Sequence, residues 1–208
     1  MRYPIVVTVL TGYLLGNLNG AVCMSALLAH DDVRGHGSGS AGLTNFARNY
    51  GGFGTALVML VDVGKTVLAC LLGGLLLAPY GYTKEGQLLG AMAVSLGHDF
   101  PVLLGFRGGK GIVCGISIAF VVDWRVALCV FAAFCIFYFA SGYVSLGSVM
   151  GAVTFAVGFA VFWHETPLVM LGGILVAVLA LFMHRANIVR LCKGTETKTN
   201  IFAGRKRK

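Results

Sequence analysis

Long apolar blocks separated by short polar ones make up almost the whole chain. The blocks cover residues 3–28, 53–78, 87–104, 112–122, 126–140, 149–163 and 168–183. Several approach or exceed the ~20 apolar residues that carry a helix across a bilayer. The pattern predicts an all-α integral membrane protein with seven transmembrane helices, some short or broken. The third block is interrupted by Gly97-His98-Asp99-Phe100-Pro101. Proline lacks an amide donor and disfavours helix just before it, so a break is expected near Asp99. The fourth block is short for a full span and reaches Asp123-Trp124-Arg125, where tryptophan suits a membrane interface. The first follows Met1-Arg2, is long and lacks a small-residue cleavage site, so it reads as a retained span rather than a signal peptide.

Charge orients this scheme. Of the 16 Lys and Arg residues, twelve fall on one side of the predicted bilayer: Arg34, Arg48, Arg107, Lys110, Arg185, Arg190, Lys193, Lys198 and Arg205 to Lys208. Arg2, Lys84 and Arg125 fall on the other, and Lys65 lies within a span. Lys and Arg mark the cytoplasmic side. The N-terminus is therefore expected in the periplasm and the C-terminus in the cytoplasm. The chain reads as one membrane-embedded domain, 1–208, with cytoplasmic loops at about 29–52, 105–111 and 141–148 and a cytoplasmic tail at 184–208. The net charge of +8 would raise nucleic acid as a partner in a soluble protein. Here no aromatic-basic stretch is available for stacking; a membrane surface and anionic substrates explain the charge better. The basic end, Arg205-Lys-Arg-Lys208, reads as a topology signal and an anchor for anionic lipid. The six cysteines form no C-x-x-C pair and read as small buried hydrophobes.

The densest chemistry lies in residues 34–48, Arg-Gly-His-Gly-Ser-Gly-Ser-Ala-Gly-Leu-Thr-Asn-Phe-Ala-Arg. Glycines let the backbone approach a ligand closely, and successive N–H groups in such a turn form a nest for an anion. Ser38, Ser40, Thr44 and Asn45 add neutral donors; Arg34 and Arg48 add fixed charge. The stretch reads as a phosphate cradle. Gly37, Gly39 and Gly42 spell G-x-G-x-x-G, but no strand precedes them, so the dinucleotide reading fails. A second basic glycine loop, Gly105-Phe-Arg-Gly-Gly-Lys-Gly111, is one residue short of a Walker loop and has glycine where a magnesium-binding hydroxyl belongs. The plain alternative for both loops is flexible connection with positives obeying topology.

Asp62 and Lys65 share a helical face within a span and read first as a structural ion pair. His184 and Asn187 also share a face, in the company of Arg190, Gly194, Glu196 and Lys198, which favours a functional reading. His164 reads as an exposed turn residue. His98 reads as a residue that shapes the second loop.

Four blocks together resemble a known family. They are Gly37-Ser-Gly-Ser-Ala-Gly-Leu-Thr-Asn45 with Arg48; Gly97-His-Asp-Phe-Pro101 with Phe106-Arg-Gly-Gly-Lys-Gly111; Ser145-Leu-Gly-Ser148; and His184-x-x-Asn187-Ile-x-Arg-Leu-x-x-Gly194-x-Glu196-x-Lys198. In this order they are similar to the bacterial acyl-phosphate:glycerol-3-phosphate acyltransferases. The resemblance implies a seven-span enzyme of the bacterial inner membrane with a cytoplasmic active site. It implies acyl transfer from acyl phosphate to the 1-hydroxyl of glycerol 3-phosphate, giving 1-acylglycerol 3-phosphate and phosphate. Expected partners are these two substrates, membrane lipids and, functionally, the enzyme that makes acyl phosphate. No cofactor and no metal are expected. The chain departs from the family's usual residues at Ser40 (Asn), Arg107 (Lys), Cys114 (Thr) and Thr66 (Gly).

On this basis Ser38, Lys110 and His184 are the candidate catalytic residues. Ser38, Gly39, Thr44, Asn45, Gly109 and Lys110 are expected to hold the acyl-phosphate head group. Arg48, Ser148 and Asn187 are assigned to glycerol 3-phosphate, with Ser145 the less favoured serine. No Ser-His-Asp set is apparent; the resemblance suggests that the donor's own phosphate takes the proton, with His184 as general base the competing version. A transporter for a phosphorylated anion is the alternative from another class. A head-group transferase using CDP-linked donors would need an array of aspartates that the chain lacks.

Overall fold

The computed structural model describes residues 1–199, and over them the chain is all-helical. The basic end 205–208 lies outside the described residues. Helices α1 (Arg2–Asn17) and α2 (Gly20–Ala29) form one broken span. The break is built by asparagine and lysine. Asn19 caps α2 by accepting from the Val22 amide at 3.1 Å. The carbonyls freed at Gly16 and Leu18 are taken by the Lys65 ammonium at 3.3 and 2.7 Å.

A short helix α3 (Leu43–Asn49) precedes the long α4 (Gly52–Leu77), which ends against Pro79. Helix α5 (Thr83–Asp99) stops where Pro101 requires it, as expected. The Tyr13 hydroxyl donates to the carbonyl of Phe100 at 2.8 Å, so the break is tied to α1. Helices α6 (Ile112–Val122), α7 (Trp124–Ser141), α8 (Val144–Phe162), α9 (Pro167–Met183) and α10 (Arg185–Cys192) complete the chain.

Five segments are long and apolar enough to cross a membrane: Arg2–Ala29, Gly52–Tyr80, Thr83–Leu104, Trp124–Ser141 and Val144–Phe162. Helices α9 and α10, bent by 57° at His184, count as a sixth if taken together. The seven-segment expectation is thus met by length only in five or six. Helix α6, with 11 residues, reaches about 16 Å at ~1.5 Å per residue and falls short of a ~30 Å hydrocarbon core.

Two further expectations are corrected. Residues 141–148 are not a loop: only the bend at Gly142 (φ 77°) is, and Ser145 and Ser148 lie in the first turns of α8. Apolar neighbours at Val144, Leu146, Val149 and Met150 continue the helix through the serines. Of the cysteines, only Cys70 and Cys114 are buried; Cys23, Cys129 and Cys192 are exposed, the first two within apolar spans where a soft apolar side chain is neutral.

Helices α1, α4 and α5 cross at small residues. A Cβ on Gly73 would meet the carbonyl of Gly86, and one on Gly86 the carbonyl of Gly73. Such contacts let backbones approach where lipid offers no hydrophobic drive for helix association. A second apolar core joins α6 to α9 through Ile118, Val126, Phe155, Phe159, Val169 and Val176. Leu10, Leu14, Leu60, Leu75, Phe139 and Leu168 are exposed around the outside, as a protein solvated by hydrocarbon requires.

Candidate active site

Asn45 folds the first loop. Its amide nitrogen donates to the carbonyls of Val33, His36 and Ser40, each at 3.0 Å. Its oxygen accepts from the Ser38 amide at 3.1 Å and from Asn49 at 3.2 Å. The Asn45 amide is therefore committed to the loop itself. Gly37 and Gly39 take positive φ (55° and 68°), which a side chain would resist. Arg34 is a strut: it pairs with Asp32 at 2.7 Å and donates to the carbonyl of Leu104 at 2.8 Å, clamping the second loop to the first. The Ala41 amide donates to the Gly108 carbonyl at 3.2 Å, and Asn19 donates to the Ala41 carbonyl at 2.9 Å. The two glycine loops and the break in the first span thus form one unit.

From this unit a cavity of about 880 Å³ opens between α6, α7, α8 and α9. Ser38, Thr44, Asn45, Arg48, Lys110, Ser145, Ser148, His184 and Asn187 all line it. Nine of the eleven residues expected at the site therefore meet around one space. Gly39 and Gly109 do not line it; they shape the loops that do. The four separated polar blocks of the sequence converge at one end of the bundle.

The polar mouth is a connected network. Lys110 Nζ donates to Asn187 Oδ1 at 2.7 Å. Asn187 Nδ2 donates to Glu196 Oε1 at 2.9 Å, and Arg190 Nε to Glu196 Oε2 at 2.7 Å. Arg48 reaches the carbonyl of Thr197 at 3.4 Å and the hydroxyl of Thr199. Among the described residues at the mouth, three cations, Arg48, Lys110 and Arg190, face the carboxylate of Glu196, leaving an excess of positive charge. Burial pushes the Lys110 ammonium below its ordinary pKa, and the nearby Arg190 and Arg48 charges push the same way. Burial likewise lowers Arg48, against the pull of Glu196. Burial alone would raise Glu196, but hydrogen bonds from Arg190 and Asn187 carry it below the usual carboxyl range. Mutual repulsion among partly desolvated cations is relieved by an incoming anion.

The serines and the histidine are placed by helix geometry. Ser148 bonds back to the Val144 carbonyl at 2.9 Å; Ser145, one turn earlier, is buried beside Glu196 without a hydrogen bond of good geometry. His184 stands at the bend between α9 and α10, with Nδ1 2.8 Å from the Ala180 carbonyl. A carbonyl only accepts, so Nδ1 carries the proton and Nε2 is left as an acceptor.

Below the mouth the walls turn apolar: Ile112, Ile116, Phe131, Phe134, Phe155 and Val176. Their spacing is that of ordinary span residues, and nothing in it marks a chamber wall. Asp62 and His98 also reach the cavity. Asp62 pairs with Lys65 at 2.8 Å, as expected, with both side chains almost fully buried.

A multi-pass, all-helical membrane protein with a cationic cradle above an apolar chamber is fitted to a ligand that is phosphate at one end and hydrocarbon at the other. Comparison with known proteins is consistent. The chain is 38% identical over 193 residues to the glycerol-3-phosphate acyltransferase of Thermoanaerobacter sp. (strain X514), covering 93% of this chain and 94% of that one. It is 37% identical to that of Anaeromyxobacter dehalogenans (strain 2CP-C), covering 92% and 96%. The fold matches the crystal structure of PlsY (YgiH), an integral membrane glycerol 3-phosphate acyltransferase, in its glycerol 3-phosphate form, with a TM-score of 0.81 and 30% identity over 94% of this chain and 96% of that one. Its lysophosphatidic acid form matches with a TM-score of 0.77 and 27% identity over 95% and 96%. The family model for glycerol-3-phosphate acyltransferase matches residues 6–194, and the chain belongs to that family.

Proposed function

We propose that the protein transfers a fatty acyl group from acyl phosphate to the 1-hydroxyl of sn-glycerol 3-phosphate, in the bacterial inner membrane with the site facing the cytoplasm. The carrying observation is one cavity whose mouth holds Arg48, Lys110, Asn187 and Arg190 and whose depth is lined by apolar side chains. Two phosphorylated substrates, one with a tail, call for both parts.

In this reading the first loop, with Ser38 and Thr44 at the cavity and Gly39 and Asn45 shaping it, holds the acyl-phosphate head group together with Gly109-Lys110. Arg48, Ser148 and Asn187 take glycerol 3-phosphate. The glycerol oxygen attacks the acyl carbon, the bond from that carbon to the phosphate oxygen breaks, and phosphate leaves carrying the hydroxyl proton. Negative charge builds on the carbonyl oxygen, and fixed donors aimed there lower the barrier. Holding both reactants in one pocket supplies much of the remainder. His184 Nε2, an acceptor, orients a hydroxyl, that of Ser38 or of the substrate.

The test is phosphate release from palmitoyl phosphate by the purified protein in detergent. Release that depends on glycerol 3-phosphate, with 1-acylglycerol 3-phosphate formed in equal amount, is expected. No release by folded protein would overturn the reading.

A further inference from the structure

His98 lies in the last turn of α5 and is almost fully buried, yet it lines the cavity. One edge of its ring is fixed by Lys65, whose Nζ lies 2.8 Å from Nδ1. The same ammonium holds Asp62 Oδ1 at 2.8 Å and the Leu18 carbonyl at 2.7 Å. An ammonium has only hydrogens to offer, so Nδ1 must present its lone pair. The ring proton therefore sits on Nε2. Among the described residues, Nε2 makes no hydrogen bond within the protein. It lies against Gly109, where a Cβ would collide with it. The next residue is Lys110.

We propose that His98 is a further substrate-binding residue, whose Nε2–H donates to an anionic oxygen of the acyl-phosphate head group seated in the second glycine loop. Lys65 is the positioning residue that keeps this donor protonated. The proposal rests on the acyl-transfer reading for the identity of the ligand. It explains why residue 109 is glycine: any side chain would cover the donor. It also gives the buried Asp62–Lys65 pair a task beyond closing the broken first span. Without Lys65, the Asp62 carboxylate 3.8 Å from Nδ1 would draw the proton to that nitrogen and leave Nε2 an acceptor facing an anion.

The experiment uses the full chain in detergent, labelled with nitrogen-15 in histidine, with the His98 signal assigned by its loss in His98→Gln. Wild type should show the Nε2-protonated tautomer, and Nε2 should shift on addition of inorganic phosphate. Lys65→Met should show the Nδ1-protonated form. In turnover, His98→Phe should raise KM for acyl phosphate about 10- to 100-fold, the range of a lost hydrogen bond to a charged group, with KM for glycerol 3-phosphate little changed. His98→Gln, which keeps an N–H donor, should recover most of that loss. Thermal unfolding of each variant separates a lost donor from a lost fold. An Nδ1-protonated wild type, no shift with phosphate, or equal KM in wild type and a folded His98→Phe would overturn the proposal. A wild type that releases no phosphate would defeat the acyl-transfer reading instead, and the phosphate titration would still decide this one.

Discussion

Single side chains at this site do different work from what their types suggest. Asn45 and Arg34 have the chemistry of ligands for an anion, yet the amide of the first is committed to its own loop and the second clamps two loops together. Their types were legible in the sequence; their partners, carbonyls up to seventy residues away, were not. His184 is a sharper case, because its tautomer follows from one carbonyl. Replacing it separates positioning from base catalysis. His184→Ala should lose about 100-fold or more of turnover, and His184→Gln, which restores an acceptor, should regain most of it. A Gln variant as dead as Ala would favour a base. Glu196 carries a pH signature. Its carboxyl is held below the ordinary value of 4.5 in the folded protein, so it stabilises the fold above that value, and the contribution is lost as pH falls through the lower folded value. Glu196→Gln should melt at a lower temperature than wild type near neutral pH, and the gap should close as the buffer is acidified below 4.5. A gap that persists in acid would mean the charge is not what holds the tail in place.

At the scale of elements, the hydropathy pattern located the helices well, because a bilayer-length apolar run has few other outcomes. It misplaced the junctions. Ser145 and Ser148 read as part of a loop, but a helix in an apolar setting hides a hydroxyl by bonding it to the preceding turn, as Ser148 does. The break in the first span leaves no mark in the hydropathy pattern, since Lys65 reaching across to the carbonyls of Gly16 and Leu18 is a tertiary contact. The chamber escaped it too: Ile112, Gly115 and Ile116 on α6 and Ser148, Gly151, Ala152 and Phe155 on α8 form facing stripes visible only once the helices are paired. From Ser148 to Phe155 the wall of α8 descends about 10 Å at ~1.5 Å per residue. Gly115 borders open space, so a side chain there has room to enter the chamber. Gly115→Leu should shift preference toward acyl chains shorter by a few carbons without unfolding the protein. Comparing turnover of C10 to C18 acyl phosphates reads this out, and an unchanged profile would mean the tail lies elsewhere.

For the molecule as a whole, the sequence carried the family and the grouping of the polar blocks at one end, because the order of the four motifs and the bias of Lys and Arg are both linear signals. It did not carry the number of full crossings, since α6 is short and α9 bends. The charge bias predicts the sidedness, and the prediction is open to a direct check. A fluorescent protein fused after Lys208 should fluoresce in intact cells, whereas a periplasmic phosphatase in the same place should be inactive; the reverse result would turn the site to the other face.

Phe131 lines the chamber and is itself 56% exposed. Under the proposed function, such an apolar ring would stand where the pocket meets the surrounding lipid. A tail threaded past it never needs to leave oil for water, so donor arrival and product departure become lateral diffusion in two dimensions. Turnover should then follow the mole fraction of acyl phosphate among its neighbours in the sheet rather than its concentration in the flask.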